Sequence, residues 1–230
     1  RENSEGEYSN IGGRLHAGSP DELTIQVSVV TRRGAERVMR FAFELARQRG
    51  GKRRVAAATK SNALNHSMPL WDEVFEDVAK AYPGVETEKL HVDNFSMQLI
   101  KRPESFDVIV ATNQMGDILS DEAAYIAGGV GLAPGANLNP ERKSPSLFEP
   151  IHGSAPRHAG KNTINPLATI LAGALMLEWL GEARGAELIR SAVGRVLAEG
   201  KVRTRDLGGS AGTSDMGDAV CATMALLAGT

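Results

Sequence analysis

The sequence predicts an α/β chain of two unequal parts, and three observations carry that prediction. Up to about residue 127, short apolar or β-branched runs alternate with amphipathic helical patterns, as they do where helices pack on a sheet. Residues 128–166 then gather Gly and Pro and lose periodicity, the texture of a long functional loop region. From residue 167 onward helical patterns dominate.

Taken in order, residues 9–30 alternate polar and apolar around Gly12-Gly13 and Gly18-Ser-Pro20, which reads as hairpin-like strands, Leu23 to Val30 being the clearest. Thr31 can cap a helix running through Arg47, with Val38, Phe41, Ala42, Leu45 and Ala46 as its apolar stripe. A strand from Arg54 to Thr59 ends at Lys60. A helix from Met68 to Tyr82 turns Trp71, Val74, Phe75 and Val78 inward and stops at Pro83-Gly84. A strand over Glu88–Val92 and a helix over Asp93–Lys101 follow. The β-branched run Val108–Ala111 then reads as a buried strand, broken at Gly116, with Asp117 opening a helix. Beyond the loop region, Leu167–Leu180 reads as a buried helix, Glu187–Glu199 as an amphipathic one, and Asp218–Leu227 as the last.

The bulk numbers exclude several classes. A hydrophobic content of 42% and a charged content of 23% describe an ordinary globular protein, and a net charge of −2 gives no reason to expect nucleic acid or an acidic membrane surface. The most apolar stretch, Leu167–Leu180, is too short to span a bilayer and carries Glu178. One cysteine, Cys221, rules out an internal disulfide framework and fits a cytoplasmic location; its apolar surroundings suggest a buried, inert thiol.

The most informative chemistry lies in Asp117 and Asp121. A spacing of i and i+4 puts both carboxylates on one face of a helix that follows a strand, where open α/β sheets place their ligands. Two hard oxygen donors there suit Mg²⁺ or Mn²⁺. The same acids would also serve simply as helix N-terminal charges answering the macrodipole. Lys60 and Asp93 likewise follow strands, as a candidate base and a third candidate metal ligand. Tyr8 sits in an acid-rich segment with Arg1, a phenol to donate a proton and a guanidinium to grip a carboxylate. Each has a bland alternative: a solvated Lys, a packed Tyr, a capping Asp. Together, base, acid, cation and divalent metal are the parts that decarboxylation of a hydroxy acid needs.

Three motif matches fail on context. Gly208-Gly-Ser210-Ala-Gly212 fits a nucleophile elbow, but no strand precedes it and every histidine lies before Ser210. Gly160-Lys161 lacks the Ser or Thr of a phosphate loop, and Gly129-Val-Gly131 lacks the third glycine of a dinucleotide fingerprint.

Five segments carry a resemblance across essentially the whole chain: Arg1-Glu-Asn-Ser-Glu-Gly-Glu-Tyr8, Ala58-Thr-Lys60-Ser-Asn62, Val92-Asp93, Asn113-Gln-Met-Gly-Asp117-Ile-Leu-Ser-Asp121 and Phe148-Glu-Pro-Ile-His152-Gly-Ser-Ala-Pro156. In type and order they resemble the metal-dependent β-decarboxylating dehydrogenases that act on isocitrate, isopropylmalate, D-malate and tartrate. Ala136 to Arg142, running into Pro145 to Pro150, looks most like the tartrate/D-malate branch.

The resemblance implies an isopropylmalate-dehydrogenase-like fold. Residues 1–127 would be a small α/β substrate, metal and dimerisation domain with a dimer arm at 9–30. Residues 128–230 would be the C-terminal part of a larger nucleotide-binding α/β domain. It makes Lys60 the base and Tyr8 the acid, with Arg1 on a substrate carboxylate. Asp117 and Asp121 would hold Mg²⁺ or Mn²⁺, with Asp93 and Lys60 reaching across an isologous homodimer.

His152, Gly153, Ser154, Ala155 and Asn165 would hold the adenosine end of NAD or NADP. Arg157 stands where an acid is usual in NAD-dependent members, which leans the reading toward NADP. The implied function is oxidative decarboxylation of a (2R)-2-hydroxy dicarboxylate, D-malate or tartrate. The alternatives are isopropylmalate or isocitrate as substrate, or a truncated, non-catalytic dimerising homologue. Family members carry a nucleotide-domain segment before the Arg-Glu-Asn motif, with further substrate arginines and a specificity loop. The chain is therefore expected to be N-terminally truncated and inactive alone.

Overall fold

The computed structural model describes residues 1–229 and divides into two compact units, Arg1–Ala123 and Ala124–Thr230. In the first unit, strands β1 (Gly12–Leu15) and β2 (Leu23–Gln26) form an antiparallel hairpin, Gly12 opposite Gln26 and Leu15 opposite Leu23. Its strands bury nothing, and Leu15, Leu23 and Ile25 lie exposed on it.

Helix α1 (Arg32–Arg49) starts where expected, the Thr31 hydroxyl accepting from Gly34 N at 3.0 Å. Its buried stripe is Ala35, Met39, Ala42, Phe43 and Ala46. Phe43 rather than Phe41 is the inward aromatic, one step round the helix from the expected stripe, because it meets Phe75 and Tyr82 at ring-centroid distances of 5.6 and 5.1 Å.

Strand β3 (Arg54–Thr59) is the centre of a parallel sheet of order β4-β3-β5, with β4 at Glu86–His91 and β5 at Val108–Val110. The period of two sends Val55 and Ala57 into one apolar cluster and Ala56 and Ala58 into another. The first cluster holds Phe43, Trp71, Val74 and Phe75, with Trp71 and Phe75 from α2 (Ser67–Ala79). The second holds Phe95 and Leu99 from α3 (Val92–Lys101) and Leu119 from α4 (Asn113–Ile126). A central strand covered on both faces reads as a continuous apolar run, which is why β3 was legible. Helix α2 ends three residues before the expected Tyr82, whose N–H bonds back to the Ala79 carbonyl.

The second unit opens with a hairpin, β6 (Pro134–Asn137) against β7 (Leu147–Pro150), in a stretch expected to be loop. Pro134, Gly135 and Pro150 hide the alternation that marks strands, so only the backbone ladder reveals it. Between the strands, Arg142 stacks over Trp179 at 4.3 Å and donates to its carbonyl, fastening the turn to helix α5 (Leu167–Leu180). That helix has the expected bounds, yet only its first half is buried; Met176 and Leu180 are exposed. Helices α6 (Ala183–Glu199) and α7 (Thr213–Ala228) start earlier than their apolar patterns suggest and close a core of Leu167, Ala192, Val193, Val196, Met216 and Val220. Cys221, on α7, is exposed rather than buried: the inward face of that helix is taken by Met216 and Val220. Among the described residues no helix is long and apolar enough to cross a membrane.

Candidate active site

Because β3, β4 and β5 run parallel, their carboxyl ends lie along one edge of the sheet. Lys60 follows β3, Asp93 follows β4 by two residues, and Asn113 and Asp117 follow β5. Two groups of side chains form there.

The first group depends on how residues 1–8 are held. The Glu2 N–H donates to the Ala111 carbonyl at 3.0 Å, just past the end of β5. The buried Glu2 carboxylate turns back onto the N–H groups of Ser4 and Glu5, and Arg37 approaches it at 3.7 Å. Glu5 accepts from the Thr31 N–H at 2.8 Å and its hydroxyl at 2.5 Å, at the start of α1. A side chain at Gly34 would meet that carboxylate at 2.7 Å, so a glycine is required. Gly6, at φ 80°, takes the left-handed turn that brings Tyr8 round.

Arg1 then lies along α4. Its Nε and Nη2 donate to Asn113 Oδ1 at 3.0 and 2.8 Å, and Nη1 pairs with Asp117 Oδ1 at 2.6 Å. The Tyr8 hydroxyl donates to the other Asp117 oxygen at 3.3 Å, and the guanidinium lies 5.7 Å from the Tyr8 ring centre. Desolvation, then the charge and hydrogen bond of Asp117, push the Tyr8 phenol above its ordinary range, so it stays protonated and able to donate. Asp121, one turn beyond Asp117 on the same face, is exposed and has no hydrogen bond or ion pair among the described residues.

One expectation is corrected here. Helix α4 begins at Asn113, not Asp117, and its first turn carries no acid. Gly116 is inside the helix, not a break before it. A Cβ there would lie 2.8 Å from Arg1 Cγ, so the glycine makes room for the arginine. Asp117 therefore sits beyond the first turn, where the macrodipole no longer explains it.

The second group is a pair. Lys60 Nζ lies 2.8 Å from Asp93 Oδ1, and this hydrogen bond holds the Asp93 carboxyl below the usual carboxylate range. The turn carrying Lys60 is braced by Ser61, which donates to Asp72 at 2.8 Å. No hydrogen bond or ion pair joins this pair to the Arg1 group among the described residues. Nor do three or more metal-binding side chains converge anywhere among the described residues. Taken alone, one chain offers the two carboxylates of Asp117 and Asp121, a donor set that fits part of an oxygen-coordinated Mg²⁺ or Mn²⁺ shell.

In the second unit, the segment 152–165 is shaped mostly by backbone. Ala155 adopts a left-handed conformation (φ 46°), and His152 Nδ1 bonds the Gly153 carbonyl at 2.9 Å. His152 Nε2 is buried with no protein partner. Gly153, Ser154 and Arg157 are exposed, and Arg157 makes no hydrogen bond or ion pair among the described residues. Asn165 is buried, its amide donating to Asp206 at 2.9 Å and its oxygen accepting from Leu167 N at 3.0 Å. Sequence reasoning missed Asn113, Asp206 and Asn162. The side chain of Asn162 accepts from Ser214 N at 2.9 Å and so caps α7. Only Asn113 left a trace, as an asparagine between a strand and a helix.

The arrangement is a proton-donating phenol, a guanidinium and two carboxylates at the carboxyl edge of a parallel sheet, with a Lys–Asp pair on the same edge. The chain that carries this arrangement has clear relatives among known proteins. The profile of the isocitrate/isopropylmalate dehydrogenases matches residues 1–220. The chain is 50% identical to the D-malate dehydrogenase (decarboxylating) of Escherichia coli over 226 residues, covering 96% of the chain and 62% of that protein. It is 49% identical over 224 residues to a probable tartrate dehydrogenase/decarboxylase of Bacillus subtilis, covering 97% of the chain and 62% of that protein. The crystal structure of isocitrate dehydrogenase from Methylococcus capsulatus superposes with a TM-score of 0.90 at 40% identity, covering 96% of this chain and 64% of that one. The chain belongs to the isocitrate/isopropylmalate dehydrogenase family and has its α/β fold. It spans about three fifths of the length of these relatives, 62% of the two dehydrogenases from Escherichia coli and Bacillus subtilis and 64% of the solved structure.

Proposed function

We propose that the protein of which this chain is part carries out NAD(P)-dependent oxidative decarboxylation of a (2R)-2-hydroxy dicarboxylate, D-malate or tartrate. The observation that carries this reading is the Arg1–Asn113–Asp117–Tyr8 group with Asp121 one turn along α4. The names of the relatives that are about half identical point to the same substrates.

In this reading Arg1 binds a substrate carboxylate bidentately and Lys60 Nζ takes the proton of the substrate hydroxyl. A bound NAD or NADP would supply the acceptor for the hydride lost from the same carbon. After CO₂ departs, the Tyr8 hydroxyl, held protonated beside Asp117, protonates the carbon that lost it. Asp117 and Asp121 would hold Mg²⁺ or Mn²⁺, with Asp93 reaching them from a second copy in a homodimer. Such an ion would supply Lewis acidity toward the hydroxyl oxygen and the charge that decarboxylation develops. His152, Gly153, Ser154, Ala155 and Asn165 would hold the adenosine end of the cofactor. Exposed and unpaired, Arg157 would favour the 2′-phosphate of NADP. The wholly exposed hairpin β1–β2 is the element offered to the second copy. With a single cysteine and no membrane-crossing helix among the described residues, a cytoplasmic location fits.

Exchanging the matching 226 residues of the Escherichia coli D-malate dehydrogenase for this chain tests the reading. The chimera is expected to reduce NAD or NADP with D-malate or tartrate only when Mg²⁺ or Mn²⁺ is present. A folded chimera that turns over neither acid would overturn it.

A further inference from the structure

Asn113 is buried, 3% exposed, at the first position of α4, and its amide is oriented without ambiguity. Its nitrogen donates to the Glu5 carbonyl at 2.8 Å, which leaves its oxygen to accept both Arg1 bonds. The flipped amide would set donor against donor at Arg1 and acceptor against acceptor at Glu5. Gly6 keeps this contact close: a Cβ there would lie 3.0 Å from Asn113 Cβ.

The guanidinium has five N–H groups. Asn113 takes Nε–H and one hydrogen of Nη2, along one edge of the plane, and Asp117 takes one hydrogen of Nη1. One N–H remains on each terminal nitrogen, open to an accepting ligand. Asn113 is neutral, so it fixes the plane without adding a second carboxylate to the one that Asp117 already sets against the cation. An aspartate in its place would accept the same two bonds, but it would set a second carboxylate against the cation, in competition with a substrate carboxylate, and face the Glu5 carbonyl with no donor.

We infer that Asn113 is the positioning residue for Arg1, fixing the plane of its guanidinium through Nε and Nη2 so that the N–H groups left over on the terminal nitrogens are presented to a substrate carboxylate. This rests on the reading of Arg1 as a carboxylate ligand, and it extends to a residue with no contact of its own to the substrate.

The test compares the chimera described above with its Asn113→Ala, Asn113→Asp and Arg1→Ala variants. It uses two readouts: the ¹⁵N Nε–Hε signal of Arg1 without ligand, and calorimetric binding of D-malate in the presence of Mg²⁺. Asn113→Ala should lose the protected Nε–Hε signal. Asn113→Asp should keep that signal yet bind D-malate about 10- to 100-fold more weakly, the span of a hydrogen bond to a charged group. A purely structural asparagine would not separate these two effects. An unchanged signal in Asn113→Ala, or undiminished affinity in Asn113→Asp, overturns the inference. If the unsubstituted chimera binds no D-malate, or its Arg1→Ala variant binds it equally well, the carboxylate role of Arg1 fails instead. The ligand-free signal still decides then whether Asn113 orients the arginine. If Asn113→Ala fails to fold, the isosteric Asn113→Asp carries both readouts.

Discussion

In the first unit the candidate catalytic side chains grip one another across the sequence, Arg1 meeting Asp117 over a separation of 116 residues. In the second unit the 152–158 segment is held by its own backbone turns, and Arg157 and Ser154 point to solvent. Asp117 has both oxygens occupied by Arg1 and Tyr8, and the arginine is itself fixed by Asn113. Such a group is oriented before any ligand arrives, and rigid placement is what a proton transfer or a bidentate contact rewards. A loop with unpaired polar side chains instead conforms to an extended ligand and pays an ordering cost when it does. In the proposed function, chemistry would sit on the braced unit and adaptable recognition on the loop.

The comparison can be broken at its strongest point first. In the chimera, Asp121→Asn should lower metal-dependent turnover by more than the ~100-fold typical of losing an outer-shell partner of a metal ligand. A smaller loss would leave the braced unit without its metal. On the loop side, Arg157→Asp should move the preference from NADP toward NAD by about 10- to 100-fold in kcat/KM, the span of a charge-assisted bond to phosphate. An unmoved ratio would make Arg157 a solvated bystander.

Bracing itself is tested by Gly116→Ala. In an ordinary helix this change stabilises by up to about 1 kcal/mol. Here the new methyl meets the Arg1 stem at 2.8 Å, so a net loss of about 1–3 kcal/mol is expected in thermal unfolding, with Arg1 displaced. A raised melting temperature would show that Arg1 is not confined. Removing the α7 cap with Asn162→Ala should cost about 1 kcal/mol, and denaturant unfolding of the second unit would register it.

The smallest effect belongs to the exposed Lys60–Asp93 pair. Because Asp93 titrates below its unfolded value, its contribution is present above the unfolded pKa and is lost as pH falls through the folded one. NMR titration of the carboxyl should show Lys60→Ala raising its midpoint. An unshifted midpoint would mean that the pair does not form in solution.

Much of this was legible in the sequence wherever local pattern and burial agree. Strand β3 and helix α5 have the expected bounds, and Trp71, Val74, Phe75 and Val78 all face inward on α2. The pairing of Asp117 and Asp121 on one helix face followed from spacing alone. What stayed hidden depended on distant partners. Gly116 reads locally as a helix breaker, and only Arg1, far away in sequence, explains why it lies inside one. The β6–β7 hairpin is written in Pro and Gly rather than in alternation. Cys221 is apolar in context but lies on the outward face of its helix, and nothing in a single sequence distinguishes those faces at its end.

The central claim, that Asp117 and Asp121 bind a divalent metal, is tested most directly by adding Mn²⁺ to the ¹⁵N-labelled chain and reading paramagnetic broadening residue by residue. The account predicts broadening centred on residues 113–121 with Tyr8 and Arg1, abolished in Asp117→Asn/Asp121→Asn. Broadening centred elsewhere, or unchanged in that double variant, would contradict it.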